Sequence, residues 1–459
     1  MKKTLSVVLS LILMAGVYTP LADAAQGPEP PKSDKQFQIN GAGATFPFPL
    51  IDTWRVEYNK LYSNINLNYQ SIGSGGGVKQ HTEKTVNFGA SDAPLTPSER
   101  ELVPGTMHIP EAIGSVVLAY YIPEVPQSGL KLTGEMVADI YLGKIKRWND
   151  PKIQEANPDL KLPDRPILVT RRSDGSGTTY VFTDYLSKVS PEWDKKVGKG
   201  KSVAWPTGVG AAGNEGVAWA TRNTKYAIGY VELAYAKANE MTVAYLQNGD
   251  KTKFVEPTFD TVFEGAKAFP VEKIPKPEAD WSQVSMILSP GENSYPIVSF
   301  TYLLVYEDIN QAISDKEMAK AFVHMLHWMI TDGQKFSKPL GYVPLPENIQ
   351  ELGKQGISRI KFDGEHLWVY GSAKTDAAKS DVKSDTKVDK KDIKKDTKKD
   401  TKKTDKKKTD KKDIKKTDKK KTDKKDIKKT DKKKTEKKDI KKKTIKKPVK
   451  TTTSKTGSK

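Results

Sequence analysis

Short runs of β-branched and aromatic residues alternate, over residues 36–371, with segments whose apolar residues recur at helical spacing. Runs that begin at Ile65, Ile167 and Ala227 predict strands. Apolar residues three or four positions apart predict helices, because that spacing places them on one helix face. The helical sets are Leu50, Trp54, Tyr58 and Leu61, then Val181, Phe182, Tyr185 and Leu186, then Phe322, Leu326 and Met329. Strands that alternate with helices predict an α/β fold with mainly parallel strand pairing.

Three stretches place glycines and hydroxyl residues where a predicted strand gives way to a predicted helix. They are NGAGATFPFP from Asn40, SIGSGGGVKQ from Ser71 and VTRRSDGSGTTYVF from Val169. Ligands of α/β folds bind at such strand ends, and a helix N-terminus there offers unpaired N–H groups and a partial positive charge. One such junction is usually an ordinary tight turn. Three of them, one beside Arg171 and Arg172, favour a site for a tetrahedral oxyanion.

An acidic residue, Asp92, stands in the stretch NFGASDAPL. A carboxylate is out of place beside a fully ionised anion, but it can accept a hydrogen bond from a protonated form of phosphate. It would then discriminate against sulfate, which has no proton to donate. Equally, Asp92 could simply cap the turn before Pro94. The residues alone leave both interpretations open.

Enzymatic interpretations of the same residues find little support. The stretch GSGGGVK from Gly73 is not a nucleotide P-loop, because Lys79 is followed by Gln80 rather than by Ser or Thr. Neither Ser74 nor Ser176 lies in the G-x-S-x-G frame of a hydrolase elbow. Five His and 0 Cys argue against a transition-metal site. A secreted phosphatase therefore stays an alternative without an evident nucleophile or metal cluster.

The first residues have the pattern of a secretory signal peptide over residues 1–24. Two lysines follow the initial methionine, Leu5–Val17 is apolar, and Ala22 and Ala24 form the small pair of a cleavage site. The apolar run is shorter than the ~20 residues that span a bilayer. With 0 Cys there is no site for a lipid anchor. We expect an exported, periplasmic protein without such an anchor.

Residues 372–459 have a very different composition. They hold 39 lysines against 16 aspartates and glutamates and no aromatic residue, a net charge of +23, whereas residues 1–371 carry −3. The unit DKKDIKKTDKKKT occurs at 410–422 and again at 423–435. Such a segment cannot bury enough apolar surface to offset its ordering entropy, so it is predicted to be a disordered tail. An anionic envelope surface or polyphosphate is its expected partner; a solubilising appendage, or an envelope-structural protein with a degenerate binding fold, is the alternative.

Six motifs of the body resemble the phosphate-binding proteins of bacterial phosphate ABC transporters. They are GAGATFPFP, GSGGGVKQ, FGASDAPL, DIYLGKIKRWNDP, RRSDGSGTTYVFT and AIGYVELAYA, in order between Ile39 and about Pro346. The resemblance implies an α/β, two-lobed periplasmic-binding-protein fold of type II. It implies one lobe over 36–118 plus 289–371 and a second over 119–288. The lysine-rich tail has no counterpart in the family pattern.

The resemblance also implies a site, which needs no cofactor. Its phosphate-binding residues would be Ala44, Thr45, Phe46, Ser74, Asp92, Arg172, Ser176, Gly177 and Thr178, with Asp174 holding Arg172. Arg171 would point elsewhere, and Gly75 stands where the family often has serine. The implied function is capture of inorganic phosphate between two closing lobes by a monomer, which delivers it to an inner-membrane ABC permease.

Overall fold

A computed structural model describes residues 27–30, 32 and 34–371 of the chain. The predicted signal peptide and the tail from residue 372 lie outside these residues, so both stay predictions. Within the described ranges, no helix is both long enough and apolar enough to cross a membrane.

Strands and helices alternate along residues 37–366, as the hydrophobic pattern predicts. The strands are β1 (Phe37–Gly43), β2 (Ile65–Ser71), β3 (Phe88–Ser91), β4 (Thr106–Tyr121), β5 (Lys131–Leu132), β6 (Leu168–Arg172), β7 (Val209–Ala211), β8 (Ala227–Glu232), β9 (Thr242–Val243), β10 (Tyr245–Gln247), β11 (Phe254–Val255), β12 (Val298–Tyr306), β13 (Lys361–Phe362) and β14 (Glu365–His366). The helices are α1 (Phe48–Leu61), α2 (Ser74–Thr82), α3 (Pro97–Leu102), α4 (Gly134–Tyr141), α5 (Pro151–Ala156), α6 (Gly177–Val189), α7 (Pro191–Lys196), α8 (Gly213–Asn223), α9 (Leu233–Ala238), α10 (Phe259–Lys267), α11 (Lys316–Ile330), α12 (Ser337–Leu340) and α13 (Glu347–Ser358).

One large sheet organises the described residues. Its strand order is β2-β1-β3-β12-β4-β8-β6-β7, with β9 also beside β4. The long strand β4 changes partner along its length: up to Ser115 it pairs with β12, and from Val116 onward it pairs with β8. A single strand therefore joins the β1–β3 half of the sheet to the β6–β8 half. The predicted lobe boundary at 118/119 falls within this strand, and the division into two lobes stays a prediction.

The expectation of mainly parallel pairing is wrong for the centre of the sheet. β1 pairs in parallel with β2 and β3, and β6 with β7 and β8. However, β12 is antiparallel to β3 and β4, and β4 is antiparallel to β8. Parallel pairing requires a crossover that carries the chain back along the sheet. Such crossovers join strands that follow one another in the sequence, such as β1 and β2, whereas β12 comes from much later in the chain and runs opposite to both of its neighbours, β3 and β4.

The predicted helix faces form the core, with one exception. In α1, Leu50, Trp54 and Tyr58 are buried, but Leu61, the last residue of the helix, is 59% exposed. The predicted apolar sets of α6 and α11 are buried throughout. Leu61 has the right spacing but is the last residue of the helix, so periodicity alone could not assign its exposure.

Candidate anion-binding site

The second of the three junctions brings Ser74 to the first position of α2. Gly73 precedes it with φ of 85°, a left-handed conformation that favours glycine. The Ser74 side chain is fully buried. Its Oγ accepts hydrogen bonds from the backbone N–H groups of Gly177, at 3.0 Å, and Asp92, at 3.2 Å. Ser74 therefore joins the third junction to the acidic residue.

At the third junction, Ser176 is the N-cap of α6, and its Oγ accepts from the backbone N–H of Thr179 at 3.0 Å. Gly177 and Thr178 are the first two helical residues. A Cβ on Gly177 would lie 2.4 Å from Ser74 Oγ and 2.5 Å from Asp92 Oδ2. Close approach of the two junctions therefore requires glycine here.

The first junction differs from the expectation. Helix α1 begins at Phe48, so Ala44, Thr45 and Phe46 lie in the turn before it rather than in its first turn. The N–H of Ala44 donates to the carbonyl of Ala90 at 2.9 Å, which commits it inside the sheet and argues against Ala44 as a ligand donor. Thr45 and Phe46 are buried, and among the described residues their backbone N–H groups have no acceptor.

Asn214, the second residue of α8, connects the first and third junctions. Its Nδ2 donates to Thr45 Oγ1 at 2.8 Å and to Thr178 Oγ1 at 3.1 Å, and its backbone N–H donates to Thr45 Oγ1 at 3.2 Å. Its Oδ1 accepts from the N–H of Glu232 at 3.0 Å, which fixes the direction of the amide.

Three buried hydroxyls of the cluster, on Thr45, Ser74 and Thr178, have the same pattern of accepted hydrogen bonds. Each oxygen already accepts from two N–H donors; for Thr178 these are Asn214 and, at 3.3 Å, Nη1 of Arg172. A hydroxyl oxygen has two acceptor lone pairs and one proton. With both lone pairs occupied, each hydroxyl can still act as a donor, which is what an anion requires.

Arg172 is held in place by Asp174. Its Nε donates to Oδ1 at 2.8 Å and its Nη2 contacts Oδ2, so the pair is bidentate. The Arg172 side chain is 1% exposed and that of Asp174 is 21% exposed. Burial alone would raise the pKa of Asp174, but the guanidinium outweighs it and lowers that pKa. Arg171 points elsewhere: its Nη1 donates to the Arg172 carbonyl and its guanidinium lies over Trp205.

Asp92, directly after β3, is buried among hydroxyls. Its Oδ1 accepts from Thr301 Oγ1 at 3.0 Å, and its Oδ2 lies 3.5 Å from the hydroxyls of both Ser74 and Thr178. Burial raises the pKa of Asp92 to about 7, against the lowering effect of these hydrogen bonds and of Arg172. Within the described ranges its carboxyl receives no backbone N–H from the following turn, so the capping interpretation finds no support.

Both halves of the sheet contribute to this cluster. Thr45, Ser74 and Asp92 precede the crossing in β4, whereas Arg172, Thr178 and Asn214 follow it. The halves also touch directly where Gly75 N–H donates to the carbonyl of Gly175 at 2.8 Å. A Cβ on Gly75 would lie 3.0 Å from Gly175 Cα, so the serine often found here in the resembling family would have to displace this loop.

Comparisons with known proteins decide the family. A family model described as the PBP superfamily domain matches residues 28–331. The phosphate-binding protein PstS of Pasteurella multocida is 43% identical over 337 residues, which are 72% of this chain and 93% of that protein. The PstS of Methanocaldococcus jannaschii is 38% identical over 377 residues, which are 78% of this chain and 96% of that protein. The chain belongs to the PstS family of phosphate-binding proteins.

Solved structures agree on the fold. A phosphate-binding protein from Stenotrophomonas maltophilia, 19% identical, matches with a TM-score of 0.52 over 70% of this chain and 93% of that chain. A periplasmic phosphate-binding protein, PfluDING, also 19% identical, matches with a TM-score of 0.54 over 69% of this chain and 92% of that chain. The α/β fold of the periplasmic-binding-protein class, expected from the resemblance, is confirmed, and so is the resemblance to the PstS family.

Sequence reasoning missed two residues of the cluster, Asn214 and Thr301. Asn214 had a usable signal, because AAGNEGVAW is a fourth glycine-containing junction between a strand and a helix. Thr301 had none, since it is one of several hydroxyl residues in the largely apolar strand β12. No group of three or more His, Cys, Asp or Glu side chains in the described part of the chain is arranged to hold a metal ion.

Proposed function

We propose that this PstS-family protein captures inorganic phosphate in the buried cluster and delivers it to an ABC-type phosphate importer. The observation that carries the proposal is the set of three hydroxyls, on Thr45, Ser74 and Thr178, whose oxygens are occupied as acceptors by N–H groups. Together with the Arg172 guanidinium they form a buried cluster of hydrogen-bond donors, and the phosphate-binding relatives support phosphate as its ligand.

Backbone donors complete the proposed phosphate site. Among the described residues, the N–H groups of Thr45, Phe46, Ser74 and Thr178 have no acceptor in the protein. Buried backbone N–H groups are normally paired, and an unpaired one costs free energy, so these four are suited to ligand oxygens. Ser176 contributes by capping α6, and Gly177 by its lack of a side chain. Ala44 remains in the wall of the site.

The same cluster has an acceptor, which gives it selectivity. Phosphate near neutral pH keeps at least one O–H, and Asp92 Oδ2 can accept it. Sulfate has no such proton, so its oxygens would face an ionised, buried carboxylate. An unpaired buried charge costs more than the ~1–3 kcal/mol of an unpaired neutral group. We therefore infer that Asp92 selects phosphate over sulfate.

Delivery follows from the position of the cluster between the two halves of the sheet. We propose that the two halves are lobes that close on the ligand. Because donors from both lobes bind the same anion, the ligand stabilises the closed form over the open form. A membrane permease would then recognise the loaded form. On this proposal the protein is monomeric and performs no chemistry on phosphate, and the predicted signal peptide places it in the periplasm.

Isothermal titration calorimetry with phosphate and with sulfate tests the proposal. We expect saturable heat with phosphate and at least about 100-fold weaker binding of sulfate, the factor that ~3 kcal/mol gives. The absence of any phosphate heat would favour the degenerate-fold alternative. Hydrolysis of a phosphomonoester by the purified protein, abolished by a change of Ser74 or Asp92, would favour the phosphatase alternative.

The lysine-rich segment from residue 372 supports a second, independent proposal. We infer that it tethers the protein to an anionic envelope surface, because each lysine near such a surface contributes ~1 kcal/mol and the segment has a net charge of +23. Truncation after Gly371 should abolish salt-sensitive retention on anionic phospholipid vesicles and leave phosphate affinity unchanged. Equal retention of the full-length and truncated proteins at low salt would refute the tether and favour the alternative, a solubilising segment. Retention on polyphosphate alone would indicate polyphosphate as the partner.

A further inference from the structure

A β-bulge in β4 places a buried carboxyl beside the candidate phosphate site. Thr301 lies opposite Ala112 and Tyr302 opposite Pro110, so Glu111 is the extra residue between them. Bulges commonly redirect a side chain, and they are frequent next to functional sites. The Glu111 side chain is fully buried, and its Oε1 lies 3.1 Å from Thr301 Oγ1.

Thr301 stands between two carboxyls. Its Oγ1 is 3.1 Å from Glu111 Oε1 and 3.0 Å from Asp92 Oδ1. A hydroxyl has one proton, so it can donate to only one of the two. The other carboxyl must itself donate to Thr301, which requires that it be protonated. If both carboxyls were ionised, one of the two contacts of Thr301 Oγ1 would have no proton between its oxygens, and those oxygens would repel each other. The row of three side chains therefore holds one extra proton.

The surroundings place that proton on Glu111 rather than on Asp92. Arg172 and two further hydroxyls act on Asp92 and favour its ionised form. Glu111 has none of these partners, and within the described residues its Oε2 has no hydrogen-bond partner. A buried carboxylate oxygen without a donor is unfavourable, whereas the neutral acid tolerates such a place better.

We propose that Glu111 is a positioning residue of the phosphate site: it stays protonated, donates to Thr301 and so directs the Thr301 hydroxyl to Asp92. Asp92 is then the carboxyl of the two that ionises first, with Oδ1 occupied and Oδ2 left to accept the ligand proton. This inference rests on the proposed function and deepens it. It adds two residues, Thr301 and Glu111, that control the protonation of Asp92, the acceptor for the ligand proton.

The titration of the row depends on the groups packed around it. Besides Thr301 they are the guanidinium of Arg172 on β6, the carboxyl of Glu232 on β8, and the phenols of Tyr69, Tyr302 and Tyr342. Burial raises the pKa of Glu111 to about 8, and Asp92 adds to that rise. The pKa of Asp92 is raised only to about 7, so Glu111 is the last of the two to lose its proton as pH rises.

The test is calorimetry with inorganic phosphate from pH 6.5 to pH 9 on the wild type and on Glu111→Gln, whose amide donates to Thr301 but cannot ionise. With a pKa of about 8, only about one Glu111 in eleven keeps its proton at pH 9. This loss of the protonated form weakens apparent phosphate binding about tenfold. We expect the rise in Kd from pH 6.5 to pH 9 to be about tenfold steeper in the wild type than in Glu111→Gln. The titration of phosphate is common to both proteins and cancels.

Further variants separate positioning from packing. Thr301→Val breaks the row, and we expect weaker phosphate binding at every pH together with the flatter profile of Glu111→Gln, whereas Thr301→Ser keeps the hydroxyl and the wild-type profile. Ser115→Ala is the matched control in β4, the strand of Glu111. Ser115 is also fully buried, and its hydroxyl has no partner among the described residues. It should keep the wild-type profile.

The outcomes also separate this inference from the proposed function. Parallel profiles of the wild type, Glu111→Gln and Thr301→Val would overturn the role of Glu111 while leaving phosphate capture intact. Failure of the wild type to bind phosphate at any pH would overturn the proposed function itself. If Glu111→Gln does not fold, the contrast between Thr301→Val and Thr301→Ser decides, since both keep Glu111 in place.

Discussion

Arg172 and Arg171 are adjacent in the sequence, and their truncation provides the sharpest test of the site. Arg172 is buried, donates to Thr178 Oγ1 at 3.3 Å and is clamped by Asp174. Arg171 instead lies over Trp205. A hydrogen bond from a charged donor contributes about 1.5–3 kcal/mol, which corresponds to roughly 10- to 150-fold in Kd. We expect Arg172→Ala to weaken phosphate binding by that factor, and Arg171→Ala by less than about threefold.

Calorimetry with phosphate at fixed pH and salt measures both variants, and thermal unfolding without phosphate checks that each is folded. Arg172→Lys is a useful intermediate: it keeps the charge but cannot form the bidentate contact with Asp174, so its affinity should fall between those of the wild type and Arg172→Ala. Equal losses from the two alanine variants, or a larger loss from Arg171→Ala, would refute the assignment of Arg172 to the ligand.

Three further predictions follow from single contacts. Asp92→Asn should weaken phosphate binding modestly but bring sulfate binding closer to it, because an amide can donate to a fully ionised oxygen; equal wild-type affinities for the two anions would refute the acceptor role. Asn214→Ala should weaken phosphate binding about tenfold, since the hydroxyls of Thr45 and Thr178 each lose the side-chain amide, one of the two donors that orient them; an unchanged Kd in calorimetry would count against this. Glu111→Gln should stabilise the fold increasingly from about pH 4.5 to about pH 8, by about 1.4 kcal/mol per pH unit in urea unfolding, because a raised carboxyl pKa removes stability as pH rises through that window; a pH-independent difference would contradict the raised pKa.

Much of the local structure was predictable because it depends on neighbouring residues. Strands β2, β6 and β8 and the buried faces of α1, α6 and α11 follow from apolar spacing, and the glycine-containing junctions mark where strands give way to helices. The family motifs added site residues that spacing could not. The status of Leu61 and Ala44 was not predictable, because exposure and a backbone N–H partner depend on which element lies beside each residue.

The sequence by itself determined the alternation of strands and helices, the chemical character of the three junctions and the charge contrast between body and tail. Tertiary structure decided the antiparallel centre of the sheet, the meeting of Ser74 with Gly177 and of Thr45 with Asn214, and the row from Glu111 through Thr301 to Asp92. The physical reason is range. Spacing along the chain controls which face of an element is apolar, whereas a hydrogen bond between residues about 200 positions apart, such as Thr301 and Asp92, exists only because β12 returns beside β3 and a bulge in β4 supplies the third side chain.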